Sequence, residues 1–268
     1  PEHPAAPIDQ FRIGIIGLGG RGRGLLKQLL AIPVGIEFTA LNDPLQDALD
    51  RAAGLFIERD LPVPDLRCGA ETAWRSVCED PDINLVVIAS PWNMHTTQAV
   101  AAMSGGKHVC VEVPAALTIQ ECWDLVDASE QTGRYCIILE NCCFGRSELA
   151  ALNMVRSRLL GEITHAECAY IHDLRSVLFD QNGEGCWRRR PHTLVDGNLY
   201  PTHGLGPIST CLDINRGHRI ERVVSMSSPA RSLALAAVET PVSHPGRTET
   251  FVCGDVNSSL VQTASRKT

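Results

Sequence analysis

Phe11-Arg12-Ile13-Gly14-Ile15-Ile16-Gly17-Leu18-Gly19-Gly20-Arg21-Gly22 decides how the rest of the chain is read. An apolar run, Phe11 to Ile16, meets a glycine cluster and then a helical pattern, Leu25 to Ala31. That order predicts a buried strand turning sharply into a helix. Gly17, Gly19 and Gly22 make G-x-G-x-x-G. Gly17 suits the tight turn, Gly19 lets backbone approach a pyrophosphate, and Gly22 lets the helix pack close to the strand. The N–H groups and positive dipole end of the helix would face that pyrophosphate. The stretch therefore predicts a dinucleotide held by Gly17, Leu18, Gly19, Gly20, Arg21 and Gly22.

A second apolar run, Ile36–Asn42, ends at Asp43, 21 residues beyond Gly22. A Rossmann unit places there the acid that binds the adenosine ribose hydroxyls. A carboxylate also repels a 2′-phosphate, which favours NAD over NADP, although Arg21 and Arg23 could pair with phosphates. Asp43-Pro44 before a helical pattern would equally serve as a helix cap. Further helices are expected at Leu45–Glu58, Ala70–Val77, Met94–Ser104 and Ile119–Gln131, and strands at Leu66–Cys68, Ile83–Ser90, Lys107–Val111 and Tyr135–Leu139. Such alternation predicts an α/β fold with a doubly wound parallel sheet, occupying 1–141 as a dinucleotide-binding domain. Ligands of these sheets sit at the carboxyl ends of the strands. Those ends carry Gly17-Leu18-Gly19, Asp43, Ser90-Pro91-Trp92, Glu112-Val113-Pro114 and Glu140-Asn141, expected to face one crevice.

Beyond Asn141 the pattern changes. A helix is expected over Phe144–Leu159, an alternating strand over Glu162–Tyr170 and a long polar loop over Asp173–Gly197. A glycine-rich segment from Gly197 to Pro207 leads into a helix through Ile214. Strands are expected at Arg219–Ser227, Glu249–Asp255 and Ser258–Thr263. Residues 142–268 thus read as an α+β domain with an open, mainly antiparallel sheet that looks incomplete toward its C-terminal end. An open sheet of this kind suits a homodimer. The opening Pro1-Glu2-His3-Pro4-Ala5-Ala6-Pro7 lacks an initiator Met and reads as a trimmed or processed start.

The net charge of −7 over 268 residues argues against a nucleic acid partner. Arg188-Arg189-Arg190, the one dense basic spot, reads as a solvated loop. No window approaches about 18 consecutive apolar residues, so no membrane span is expected. Eleven cysteines are present, none spaced C-x-x-C. Most lie in apolar patterns (Cys110, Cys122, Cys136, Cys168, Cys211) and read as buried, reduced thiols, not as metal ligands or disulfides.

Gly17-Leu18-Gly19, Pro91 with His95, Lys107-His108-Val109 and Glu112-Val113-Pro114 resemble the glucose–fructose oxidoreductase and inositol dehydrogenase superfamily. In that superfamily the segment matching Glu112-Val113-Pro114 normally reads Glu-Lys-Pro, and its lysine helps proton transfer. Val113 cannot move a proton. The chain is more similar to one branch, the NAD-dependent glycosidases typified by α-N-acetylgalactosaminidase, glycoside hydrolase family 109. The segments are Gly19-Gly20-Arg21-Gly22, Pro91-Trp92-Asn93-Met94-His95, Glu121-Cys122-Trp123, Leu139-Glu140-Asn141-Cys142, Tyr170-Ile171-His172-Asp173-Leu174-Arg175 and Gly197 to Pro207. Members of this branch are longer, and the loop Phe179–Arg190 is short by comparison.

The resemblance implies an unusual hydrolysis of a small glycoside. NAD takes a hydride from C3, a base removes the C2 proton and the aglycone leaves C1. Water adds, and the hydride returns. No pair of carboxylates at fixed separation is needed. Alternatives are a sugar dehydrogenase and a non-catalytic NAD-binding protein.

The residues themselves supply proton carriers. Tyr200 and His203 lie three apart in the glycine-rich segment, and both residue types carry protons. His203 could instead be a helix-start histidine bonded to backbone. Tyr170 and His172 stand at i and i+2 on the expected strand, sharing a face that either touches substrate or packs on a helix. Glu140 and Asn141 could bond sugar or nicotinamide ribose hydroxyls, or Glu140 could form a buried ion pair. Glu112 is expected at the nicotinamide ribose with Val113 beside it. Pro91 and Trp92 are placed near the nicotinamide or over the loop, and His95 near the cofactor as a cap or packing group.

Overall fold

The computed structural model describes residues 7–33, 35–69 and 71–268. Pro1–Ala6, read above as a processed start, and Ala70, the first residue of an expected helix, lie outside the described residues. The chain divides into two compact units, one ending at Leu139 and the other beginning at Glu140.

In the first unit the expected alternation appears as strands β1 (Phe11–Ile16), β2 (Ile36–Asn42), β3 (Asp65–Arg67), β4 (Leu85–Ile88), β5 (His108–Val111) and β6 (Cys136–Ile138). Between them run helices α1 (Gly20–Leu29), α2 (Gln46–Ile57), α3 (Arg75–Glu79), α4 (Trp92–Ser104) and α5 (Ile119–Thr132). All strand pairs are parallel, in the order β3-β2-β1-β4-β5-β6. The order reverses between β1 and β4, the switch point at which doubly wound sheets bind ligands.

Period-two alternation splits the apolar strands between two cores. Ile13, Ile15 and Val87 join Leu26, Leu49 and Phe56 on one face. Ile16, Val86 and Ile88 join Met103 and Val77 on the other. Gly14 leaves room there, since a Cβ would lie 2.4 Å from Val77 Cγ1. Each fully buried Ile contributes about 1.5–3 kcal/mol, so β1 is fixed by burial on both sides. Local chemistry sets the helix ends. Thr118 Oγ1 accepts the Glu121 N–H at 3.1 Å, and Glu121 Oε2 accepts the Thr118 N–H at 3.0 Å, a capping box at the start of α5. Gly133 ends that helix at φ +65°. Thr118→Ala is expected to lower stability by about 1 kcal/mol in denaturant melts, without changing cofactor affinity.

The second unit holds α6 (Arg146–Arg156), α7 (Arg175–Leu178), α8 (Gly185–Leu194), α9 (Thr202–Cys211), β7 (Ile220–Ser227), α10 (Ser232–Glu239) and β8 (Asn257–Thr263). β7 and β8 form an antiparallel ribbon, with Val223 opposite Val261 and Val224 opposite Leu260. Val223, Val224, Met226 and Leu260 on it are exposed.

Several expectations are corrected here. Glu162–Tyr170 is not a strand: no ladder forms, although the Ala166 N–H reaches the Thr268 carbonyl at 2.9 Å. The expected loop over Asp173–Gly197 contains α7 and α8. Arg188 pairs with Glu184 one turn back, and Arg189 donates to the Leu178 and Gly185 carbonyls, which overcomes Pro191 inside α8. Arg188 and Arg189 are therefore buried, not solvated. Glu249–Asp255 is not a strand either; the Val252 and Cys253 N–H groups both turn to the His192 carbonyl. The helix expected through Ile214 stops at Cys211. Helix α10 has no counterpart among the expected elements. Its start is held by Asp255, which accepts the Ser232 N–H from 23 residues away. All eleven cysteines are free, but of those expected to be buried Cys122 and Cys168 are exposed and Cys110, Cys136 and Cys211 half-buried. Among the described residues no helix is long and apolar enough to cross a membrane.

Candidate functional site

The glycine turn performs the mechanical tasks its spacing implies. Gly17 sits at φ +90°, and a Cβ there would lie 2.6 Å from the Ala89 and Ser90 backbone. A Cβ at Gly22 would lie 1.9 Å from the Gly17 carbonyl oxygen, so α1 meets the end of β1 only through glycine. By contrast a Cβ at Gly19 or Gly20 would meet nothing within 4 Å, and Gly19 offers the first turn of α1 no side-chain cap. An open backbone before an uncapped helix start suits a pyrophosphate.

Asp43 is not the cap of the next helix, whose N-cap is Leu45 without a side-chain cap bond, but it braces the glycine turn and the entry to that helix. Its Oδ2 accepts the Leu18 N–H of that turn at 2.7 Å, and Oδ1 accepts the Leu45 N–H before α2 at 2.9 Å. A carboxylate has about four acceptor positions, so two remain for ribose hydroxyls. Asp43→Ala strands the Leu18 N–H. It is expected to cost about 1–3 kcal/mol in thermal or denaturant melts and to narrow any preference for NAD over NADP in titrations.

Around the switch point, Arg21 Nε donates to Glu112 Oε1 at 2.6 Å. Arg23 donates to the Leu18 carbonyl at 2.8 Å, drawing it onto the turn. Glu112 and Val113 are buried, and the Val113–Pro114 peptide is cis. Pro91 caps α4 and Trp92 begins it, buried. His95 is 1% exposed, with Nδ1 2.7 Å from the Pro114 carbonyl and Nε2 2.8 Å from the Ser90 carbonyl. Burial pushes its pKa down against the pull of those carbonyls and Glu112, and the ring lies between the loops after β4 and β5. The first unit thus gathers four of the five expected strand ends; Glu140 and Asn141 belong to the second unit.

In the second unit, Glu140 caps a short 3-10 turn, Asn141–Phe144, accepting the Cys142 N–H on Oε1 at 3.0 Å. The same oxygen meets His203 Nδ1 at 2.6 Å. His203 lies in the first turn of α9, which Pro201 opens. Close approach depends on Gly206, where a Cβ would lie 2.8 Å from Glu140 Cγ. Burial tends to raise the Glu140 carboxyl. Hydrogen bonds from His203 and the Cys142 N–H outweigh it and hold the group below its ordinary range.

Aromatic rings complete the cluster. Tyr200 stands edge-on to His203, with centroids 4.8 Å apart and planes at 83°. Tyr170 contacts Tyr200 at 5.2 Å and His203 at 5.3 Å, and stacks on His172 at 5.9 Å. The Arg188 guanidinium lies 4.9 Å over the Tyr200 ring. The geometry therefore joins Tyr170, His172, Tyr200 and His203, and adds Glu140. Sequence reasoning offers an ion pair for Glu140 without naming its partner, because 63 residues separate it from His203.

A parallel sheet in this order, with a glycine turn at its switch point, defines the chain's first unit as a Rossmann domain of the dinucleotide-binding oxidoreductase type. Residues 11–139 match the oxidoreductase family with an NAD-binding Rossmann fold, and 144–268 match the C-terminal domain of glycosyl hydrolase 109. The chain belongs to glycosyl hydrolase family 109. A family 109 protein of Solibacter usitatus is 48% identical over 96% of this chain and 59% of its own length. One from Shewanella putrefaciens is 42% identical over 98% of this chain and 58% of its own. The chain thus spans about three-fifths of the curated relatives it matches. The fold is shared with scyllo-inositol dehydrogenase from Lactobacillus casei, solved with NAD(H) and scyllo-inositol, at TM-score 0.67 and 20% identity over 96% of this chain and 67% of that one.

Proposed function

We propose that the chain forms the cofactor site and part of the sugar site of an NAD-dependent glycoside hydrolase acting on α-N-acetylgalactosaminides or related glycosides. The Glu140–His203 pair carries this reading. A proton on Nδ1, donated to an ionised Glu140, leaves Nε2 with its lone pair, the arrangement of a general base. His203 would take the proton at sugar C2. Tyr200, packed against the base and under Arg188, is placed to exchange a proton with the departing or entering oxygen at C1, and Tyr170 keeps both rings in position. His172 extends that wall for sugar contact. When bound, the nicotinamide supplies reversible hydride transfer at C3. Gly17 to Gly22 and Asp43 would hold the dinucleotide, with Glu112 and Trp92 toward its nicotinamide end.

A sugar dehydrogenase is the second reading, favoured by the fold shared with an inositol dehydrogenase. Val113 counts against it, since that position carries no proton. The two readings separate in one assay of the purified protein. A hydrolase releases aglycone from an aryl α-N-acetylgalactosaminide without added oxidant, with flat nicotinamide absorbance. A dehydrogenase accumulates NADH with free sugars and releases no aglycone. NAD binding with neither signal would mark a cofactor-binding protein that does not turn over.

A further inference from the structure

The turn that positions Glu140 also brings sulfur to the pair. Cys142 Sγ, a Glu140 carboxylate oxygen and a His203 ring nitrogen lie within 4.8 Å of one another. Glu140 is 4% exposed, and the other two are half-buried. Tetrahedral zinc takes thiolate at about 2.3 Å and imidazole or carboxylate at about 2.0–2.2 Å, which sets its donors roughly 3.3–3.8 Å apart. Small side-chain rotations close that gap. Further sulfur borders the same helix. A Cβ at Gly206 would lie 2.9 Å from Cys143 Sγ, and one at Gly204 would lie 3.1 Å from Cys168 Sγ. Thiolate and imidazole together select soft or borderline cations over Mg²⁺ or Ca²⁺. Three protein ligands leave a fourth position for water.

We propose that Glu140, Cys142 and His203 form a site for a soft divalent cation, Zn²⁺ or Cd²⁺, and that its occupancy breaks the Glu140–His203 hydrogen bond. Formation of the sulfur–metal bond sends the Cys142 thiol proton to solvent, and the imidazole proton moves to the nitrogen that does not ligate. No oxidation state changes. Inhibition by the ion rests on the hydrolase reading; binding does not.

The test uses the chelator-treated chain titrated with Cd²⁺ alone, following the ultraviolet thiolate-to-metal charge-transfer band, with Zn²⁺ as competitor. The tightest phase is expected at about one ion per chain. It should vanish in Cys142→Ser and weaken at least about tenfold in Glu140→Gln. Cys68→Ser, an exposed thiol of the first unit, should leave it unchanged. A second measurement guards against misfolding of Cys142→Ser: Zn²⁺ should slow alkylation of Cys142 in the unmodified chain, read by peptide mass spectrometry. Absence of a tight phase, its persistence in Cys142→Ser, or Cys142 labelling indifferent to Zn²⁺ would overturn the site. None of these readouts uses turnover, so a failed hydrolase reading leaves them intact. Where turnover is present, Zn²⁺ should inhibit it, and a fully active Zn²⁺-loaded protein would refute the broken hydrogen bond.

Discussion

Gly22→Val is expected to abolish NAD retention and to destabilise the first unit by about 3 kcal/mol or more. The new Cβ would stand 1.9 Å from the Gly17 carbonyl oxygen, a backbone atom that cannot swing aside. Overpacking of this kind typically costs about 1–3 kcal/mol where neighbours can yield, and more where backbone must move. The start of α1 would be pushed from β1, taking its N–H groups out of reach of a pyrophosphate. Gly19→Ala separates binding from folding. Gly19 lies at φ −59° with open space around its Cβ position, so the fold itself accommodates alanine. Melting should be unchanged while NAD affinity falls at least about tenfold, because the methyl occupies the path of the ligand. Calorimetry and thermal melts on both variants check this; unchanged NAD affinity in Gly19→Ala would remove the cradle from the account.

His203→Ala is expected to lower aryl glycoside turnover by about 10²–10⁴, the range for a lost general base, while NAD stays bound. That is about 3–5 kcal/mol of transition-state stabilisation. Glu140→Gln should cost less, since it keeps the shape but weakens the hold on His203 Nδ1. Its charge also sets a pH dependence. The folded carboxyl lies below its ordinary value of 4.5, so its contribution to stability is present above that value and is lost as pH falls through the depressed one. In mildly acidic buffer Glu140 should therefore stay ionised, and activity should not be lost through its protonation. A pH profile of kcat/KM in which Glu140→Gln removed an acid limb would contradict this.

The first unit is legible in sequence because its signals are local. A double-sided apolar strand, three glycines at fixed offsets and Asp43 after β2 each report on contacts within about 30 residues of sequence. Strand boundaries shift by one or two residues, as at β4, where the apolar run outlasts the ladder, and helix starts by more, as at α1, which begins at Gly20, and α3, which begins at Arg75. The second unit is less legible because its order comes from distant partners. Strand geometry puts Tyr170 and His172 on one face, yet they share a side through ring stacking without a strand. Helix α10 depends on Asp255 and Glu249–Asp255 on the His192 carbonyl, and neither leaves a periodic trace. Arg188 reads as a solvated charge because composition cannot show the Tyr200 ring beneath it. Glu140 is marked by its position after β6, but only the fold supplies His203.

The most direct test of the central claim is the product formed in deuterium oxide from an aryl α-N-acetylgalactosaminide with no oxidant added. Hydrolysis through removal of the C2 proton predicts deuterium at C2 of the released sugar, seen by mass spectrometry and NMR. Release of sugar with hydrogen retained at C2 would contradict the proposed chemistry.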